Sequence, residues 1–251
     1  MDPFSVQIYA AAIPAVLVAG ISKGGFGSGA AFAGAVILAL AVEPPVALAV
    51  MLPLLMVMDV TALPAYWRRW DPVAAVALCA GAVPGVIVAG LVFRSADPDT
   101  LRILIGAVAL GFVAFQLARQ SGVLDVSGLP AGRAAGWFWG CVAGFTSFVS
   151  HAGGPPAAVY LLSRGLTKET YQATTVVVFW IINMMKIGPY AWLGAFSAQT
   201  LWLDLTLIPV AVAGIGLGVW LHRRVASEWY FRVTYALLVV TGTKLIWDGL
   251  A

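Results

Sequence analysis

The sequence predicts an all-α integral membrane protein made of two inverted repeats, each a glycine-broken helix pair, re-entrant or discontinuous, plus three transmembrane helices. Three observations carry this expectation. Of 251 residues, 61% are hydrophobic and 10% charged, with a mean hydropathy of +0.95, whereas soluble domains run at about 45–50% apolar and about 25% charged. The apolar residues form continuous runs of membrane-spanning length. The two halves of the chain also repeat the same order of elements.

A helix needs about 20 apolar residues to cross the hydrocarbon. Six runs meet or approach that length: Pro45 to Tyr66, Pro72 to Phe93, Asp99 to Ala118, Thr170 to Gly194, Leu201 to Leu221 and Trp229 to Trp247. Two further stretches, Val6 to Val42 and Ala134 to Ser163, are apolar but have glycine-rich centres. A membrane β-barrel would show short alternating segments instead. Nine of the ten tryptophans lie near run ends and only Trp180 is mid-span, as expected of indole rings at the headgroup level. The segment from Met1 to Gln7 has no basic region and no small-residue cleavage site, so no cleaved signal is expected.

Aligned at an offset of 124, Ala19-Gly20 matches Ala143-Gly144, Gly29 matches Gly153, Asp59 matches Asn183 and Tyr66 matches Tyr190. The expected division is a first membrane repeat over 1–120, a linker over 121–132 and a second repeat over 133–251. If each broken stretch ends on the side where it began, one face collects nine cations (Arg68, Arg69, Arg119, Arg133, Arg164, Lys168, Arg223, Arg224 and Arg232) and the other three (Arg94, Arg102 and Lys244). If each crossed once, they would divide five to seven. The positive-inside rule favours the first arrangement, which inverts the repeats and puts both termini outside. Transporters built this way hold their substrate at the midplane between the repeats. Pro155 to Arg164, ten residues long, makes about 15 Å of helix, half of a ~30 Å core, which favours re-entry for that arm. Gly29 to Val42 is longer, and the number of crossings stays open.

The first broken centre reads Gly20-Ile-Ser-Lys-Gly-Gly-Phe-Gly-Ser-Gly29, and the second runs from Gly144 to Pro156. Non-helical backbone at membrane depth is tolerated only where protein buries it or it lines a wet cavity. A helix start in such a place offers backbone N–H groups and a positive dipole end to an anion. The substrate-binding candidates are therefore Ser22, Lys23, Gly24, Gly25, Gly27, Ser28 and Gly29 in the first centre. In the second they are Thr146, Ser147, Ser150, His151, Gly153 and Gly154, joined by Asn183 and Lys186 on a later run. For any single glycine, close helix packing is the plainer explanation. Two dense clusters at matching positions point to function. Lys23, Asp59, His151 and Lys186 are ionisable groups within spans, where a charge costs roughly 2.5–3.5 kcal/mol and usually faces a pathway or a partner. Asp59 is read as a coupling residue or one member of an ion pair. Asp204 and Lys244, near run ends, read as interface residues.

Cys79 and Cys141 lie in apolar runs without CxxC spacing or a histidine neighbour, so no metal, cofactor or disulfide framework is expected. The charge content excludes a nucleic-acid partner. The expected partners are a small anionic substrate and the lipid bilayer, and the sequence leaves a homodimer open.

With its two related halves, Gly20 to Gly29 and Gly144 to Pro156 continuing into Ala157-Ala158-Val159-Tyr160, nearly the whole chain resembles the sulfite exporter TauE/SafE family, also called the toluene-sulfonate uptake permease family. That resemblance implies a secondary transporter for export or uptake of small sulfur-containing anions, such as sulfite or an organosulfonate like sulfoacetate, across a bacterial inner membrane, with export the favoured direction. It implies no enzyme activity. Two alternatives fit less well. An intramembrane serine hydrolase would pair Ser28 with His151, but a Gly-x-Ser-Gly motif needs glycine where Phe26 stands. An ion channel selecting cations is disfavoured by one mid-span carboxylate against two lysines.

Overall fold

The computed structural model describes residues 6–26, 30–126, 128–222, 224–225 and 227–251. Among these residues the chain is helical throughout and has no strand. Helix α1 (Val6–Ile21) runs into a π-helical turn, Ser22–Phe26, and the short α2 (Ala33–Leu38) follows. Next come α3 (Pro44–Ala62), extended by a 3-10 turn at Leu63–Tyr66, then α4 (Pro72–Ser95) and α5 (Pro98–Gln120). The remainder holds α6 (Arg133–Ser150), α7 (Gly154–Ser163), α8 (Lys168–Trp192), α9 (Ala198–His222) and α10 (Ser227–Leu250).

Local chemistry explains where these helices begin. Proline occupies the first turn of α3, α4, α5 and α7, where its missing N–H has no helical partner to lose. The side chains of Asp71, Asp97 and Thr167 accept from the amides of Ala74 (3.0 Å), Thr100 (2.7 Å) and Thr170 (3.2 Å), capping α4, α5 and α8.

By length and composition, six helices can cross a membrane: Val6–Phe26, Pro44–Tyr66, Pro72–Ser95, Pro98–Gln120, Ala198–Leu221 and Glu228–Leu250. This set differs from the sequence expectation in two places. The stretch from Val6 continues through the π turn as one crossing-length helix. The run from Thr170 forms α8, which carries Gln172, Thr174, Thr175, Asn183 and Lys186 among its apolar residues and is not one of the six. In the arm that follows Gly29, whose crossing the sequence leaves open, the α-helix has only six residues, about 9 Å.

Large apolar side chains such as Val76, Ile87, Leu91, Val240 and Trp247 point outward, as they do when the surrounding solvent is lipid. The driving force between helices is then close packing rather than water exclusion. Helix α1 lies against α9 and α6 against α4; α3 also meets α9, α8 meets α4, α5 packs on α10 and α3 on α8. Glycines set the approach. A Cβ at Gly81 or Gly85 of α4 would sit 2.1 or 2.0 Å from the carbonyl oxygens of Trp137 and Cys141 on α6. At Gly140 and Gly144 of α6 it would sit 2.3 and 2.4 Å from those of Leu78 and Ala82 on α4. In the other pair, a Cβ at Gly24 or Gly25 of the π turn would sit 2.3 or 2.1 Å from the carbonyl oxygens of Ile215 and Gly218 on α9.

At one end of the bundle, Asp71 ties three segments together. Its carboxylate accepts from the Arg164 guanidinium at 2.9 Å, and its amide donates to the Thr174 hydroxyl at 2.9 Å. Burial works against the Asp71 charge, but the Ala74 amide and Arg164 outweigh it and hold the carboxyl below its ordinary range.

Two predictions follow from this packing. Gly85→Val forces α4 and α6 apart and lowers stability by about 1–3 kcal/mol or more, whereas Gly111→Val, with open space around it, leaves the melting temperature in detergent unchanged within error. Because the folded Asp71 carboxyl titrates below its unfolded value, its contribution is fully present above about pH 4 and is lost as pH falls through the folded value. The stability difference between wild type and Asp71→Asn, whose amide keeps the cap, is therefore largest near neutrality, about 1–3 kcal/mol, and the gap in melting temperature that reports it closes in acid.

Candidate functional site

The ionisable residues that the sequence places within spans converge on two linked clusters between α3 and α8. In the first, Lys23 of the π turn forms an ion pair with Asp59 of α3 and donates to the Leu55 carbonyl at 3.1 Å. The other Asp59 oxygen accepts from the Asn183 amide of α8 at 2.8 Å. Asp59 is 1% exposed, and its charge is met by one ammonium and one amide. Asp59 and Asn183 are the two residues equated by the 124-residue offset, and here they touch.

In the second cluster, Lys186 lies one turn after Asn183 and is 0% exposed. Its ammonium donates to the Ser147 carbonyl and hydroxyl, both at 3.1 Å, and meets His151 Nδ1 at 2.7 Å. His151 Nε2 lies 3.0 Å from the Leu48 carbonyl. A carbonyl only accepts, so Nε2 carries the ring proton and Nδ1 accepts from Lys186. The histidine is therefore neutral, and the three ammonium donors of Lys186 meet three acceptors. None of those acceptors is a carboxylate. Counted over both clusters, two lysines face a single carboxylate.

His151 closes α6. Its amide bonds to Ser147 O (2.9 Å) and the Ala152 amide to Thr146 O (3.3 Å), with His151 at φ 57°. Glycine is the usual residue at this left-handed position. A histidine here accepts backbone strain of order 1 kcal/mol and in return aims its ring between Leu48 and Lys186.

The structure corrects the expectation of long unwound centres. Residues Gly20 and Ile21 are α-helical, and Ser22, Lys23, Gly24 and Gly25 lie in the π turn, with Gly24 and Gly25 packed against α9 on one side and lining a cavity on the other. Gly27, Ser28 and Gly29 lie outside the described residues. From Gly144 to Ser150 the chain is the last part of α6, so the second break is confined to residues 151–153. The hydroxyls of Thr146 and Ser150 bond back to Val142 O (2.9 Å) and Thr146 O (3.0 Å) within α6. Gly153 precedes α7 and packs against Phe179 and Ala143, and Gly154 opens the helix. Pro155 and Pro156 follow at once and have no N–H to give, so this helix start offers fewer donors than the sequence suggested.

Two cavities flank the clusters. One, of about 610 Å³, is lined by Lys23, Gly24, Phe26, Tyr66, Lys168 and Gln172, among others. The other, of about 460 Å³, is lined by Phe93, Arg94 and Trp192 with residues from the start of α3. Phe93 also meets Phe148 and Tyr190 at centroid distances of 5.7 and 6.1 Å, and Tyr190 lies 6.4 Å from the His151 ring. The Tyr190 hydroxyl donates to Phe148 O at 2.6 Å. This aromatic cluster stands between the Arg94 cavity and Lys186, while Lys23 itself lines the opposite cavity.

Sequence reasoning missed the Leu48 and Leu55 carbonyls, which no side-chain pattern announces. It also missed Tyr190 as a site neighbour, although the Tyr66–Tyr190 match between halves marked it. Asp204, read as an interface residue, is in fact 4% exposed within α9.

Comparison with curated proteins gave no match, and neither did comparison with solved structures. A family model described as "Sulfite exporter TauE/SafE" matches residues 12–245, nearly the whole chain, including every element of both clusters. With that match, the paired breaks, the buried cations and the crossing-length helices have a common explanation: the chain belongs to the sulfite exporter TauE/SafE family.

Proposed function

We propose that the protein exports a small sulfur-containing anion, sulfite or an organosulfonate such as sulfoacetate, by alternating access, and that the anion is drawn to the excess positive charge of Lys23 and Lys186. The observation that carries this reading is Lys186: a fully buried lysine whose amino group meets Ser147 and His151, with no carboxylate among its hydrogen-bond partners. A charge on that amine is costly without a counter-charge, and an anion arriving beside it removes that cost. Lys23 has two donors engaged among the described residues and lines the 610 Å³ cavity, which suits it to receive the anion first.

The halves 1–120 and 133–251 are read as inverted repeats joined by 121–132. Two observations support this: the exchange of partners, α1 on α9 as α6 on α4, and the contact between the equivalent residues Asp59 and Asn183. In this reading a two-fold axis in the membrane plane runs between α3 and α8. The cation-rich face is cytoplasmic and both termini are periplasmic, in the inner membrane of a bacterium. The Lys23 cavity, which also holds Lys168, then opens to the cytoplasm, while Phe93, Phe148 and Tyr190 close the periplasmic side.

The test is flux of sulfite and sulfoacetate in proteoliposomes, with thermal-shift stabilisation by each anion read beside it. Lys186→Met keeps the side chain's length and removes a charge that has no carboxylate partner. It is expected to leave the melting temperature unchanged or raised, while flux falls at least tenfold and stabilisation by the anion disappears. Wild-type flux retained in both Lys186→Met and Lys23→Met would overturn the assignment.

A further inference from the structure

Asp204 lies in α9, 4% exposed, and neither Oδ1 nor Oδ2 has a hydrogen-bond partner among the described residues. It is the only carboxyl on that helix. Six residues separate it from the helix start at Ala198, about 9 Å of rise, which puts it inside the apolar layer yet near one surface. Helix α9 packs against α1, the π turn and α3, whose titratable side chains are Tyr9, Lys23 and Asp59. Tyr9 spends its hydroxyl on Thr206 at 2.8 Å, and Lys23 and Asp59 pair with each other. None of them serves Asp204.

An ionised carboxylate cannot persist in such a place without a partner; it must take up a proton or a cation. Asp59, by contrast, is fully engaged and has little room to change its state without releasing Lys23. We infer that Asp204 is the proton-binding site of the transport cycle, a reading that rests on the transporter function proposed above. Eleven residues farther along the same helix, Ile215 meets Gly24 beside Lys23, roughly 16 Å away by helical rise. The proton site and the anion site are thus distinct but share one rigid element. On the proposed topology Asp204 lies toward the periplasm. It takes a proton there as the anion leaves and releases it on the cytoplasmic side before the next anion is loaded, so that one proton enters against outward anion movement.

The experiment reconstitutes the full chain in proteoliposomes and measures sulfite flux with and without a pH gradient. Wild type is expected to be accelerated several-fold by the gradient. Asp204→Asn should keep gradient-free exchange within about twofold of wild type but lose the acceleration, and Asp204→Glu should retain part of it. Full acceleration in Asp204→Asn overturns the inference, as does a wild-type flux that follows a sodium gradient instead. A readout independent of transport separates this claim from the functional reading: the infrared C=O stretch of a protonated carboxylic acid, present in wild type at neutral pH and missing in Asp204→Asn. If the band is found but no anion is moved, the transporter reading fails while the proton site stands. If the two spectra are identical, the proton site fails.

Discussion

The constraint on which the rest of the molecule depends is that a polar group within lipid must be satisfied by protein. Asp59, Lys23 and Asn183 satisfy one another, and in doing so they bind α3, α8 and the end of α1 into one core. Lys186 meets the same demand with Ser147 and His151, which fixes where α6 must stop and how His151 must turn. Each cluster is hydrogen-bonded, but only the first pairs its lysine with a carboxylate. Around this polar centre the helices pack closely on glycine.

Backbone conformation at the two breaks is more economical than an open loop. A π turn at Ser22–Phe26 shifts the side-chain register enough to bring Lys23 inward while keeping the helix hydrogen-bonded. A single left-handed residue does the equivalent at His151. Both devices expose less backbone than glycine-rich segments suggest on paper.

The helices and their order were legible from hydrophobic run length, because a membrane imposes a minimum length that composition alone reveals. Tyr66 and Tyr190, Asp59 and Asn183 were also legible as equivalents. The meeting of Asp59 with Asn183 in space was not, since nothing local in a sequence says which helices become neighbours. Lys23, His151 and Lys186 stood out because charge is rare in apolar runs. The role of Gly24, Gly25 and Gly144 did not, because a glycine that admits a ligand and one that admits another helix look identical until the neighbour is known. Asp204 lies near the end of an apolar run, and proximity to an end says nothing about whether a side chain faces headgroups or protein.

The glycine contacts between α4 and α6, and between α1 and α9, join backbone directly to backbone across the two parts of the chain. Each part therefore holds one arm of the other in a mutual clasp. A motion that swung one sequence half against its counterpart as a unit would have to tear both clasps open. Displacements that carry α1 with α9, and α4 with α6, leave them shut, so the mechanical parts of this molecule are mixed pairs drawn from both halves, and a nick in the connecting segment would leave the assembly interlocked.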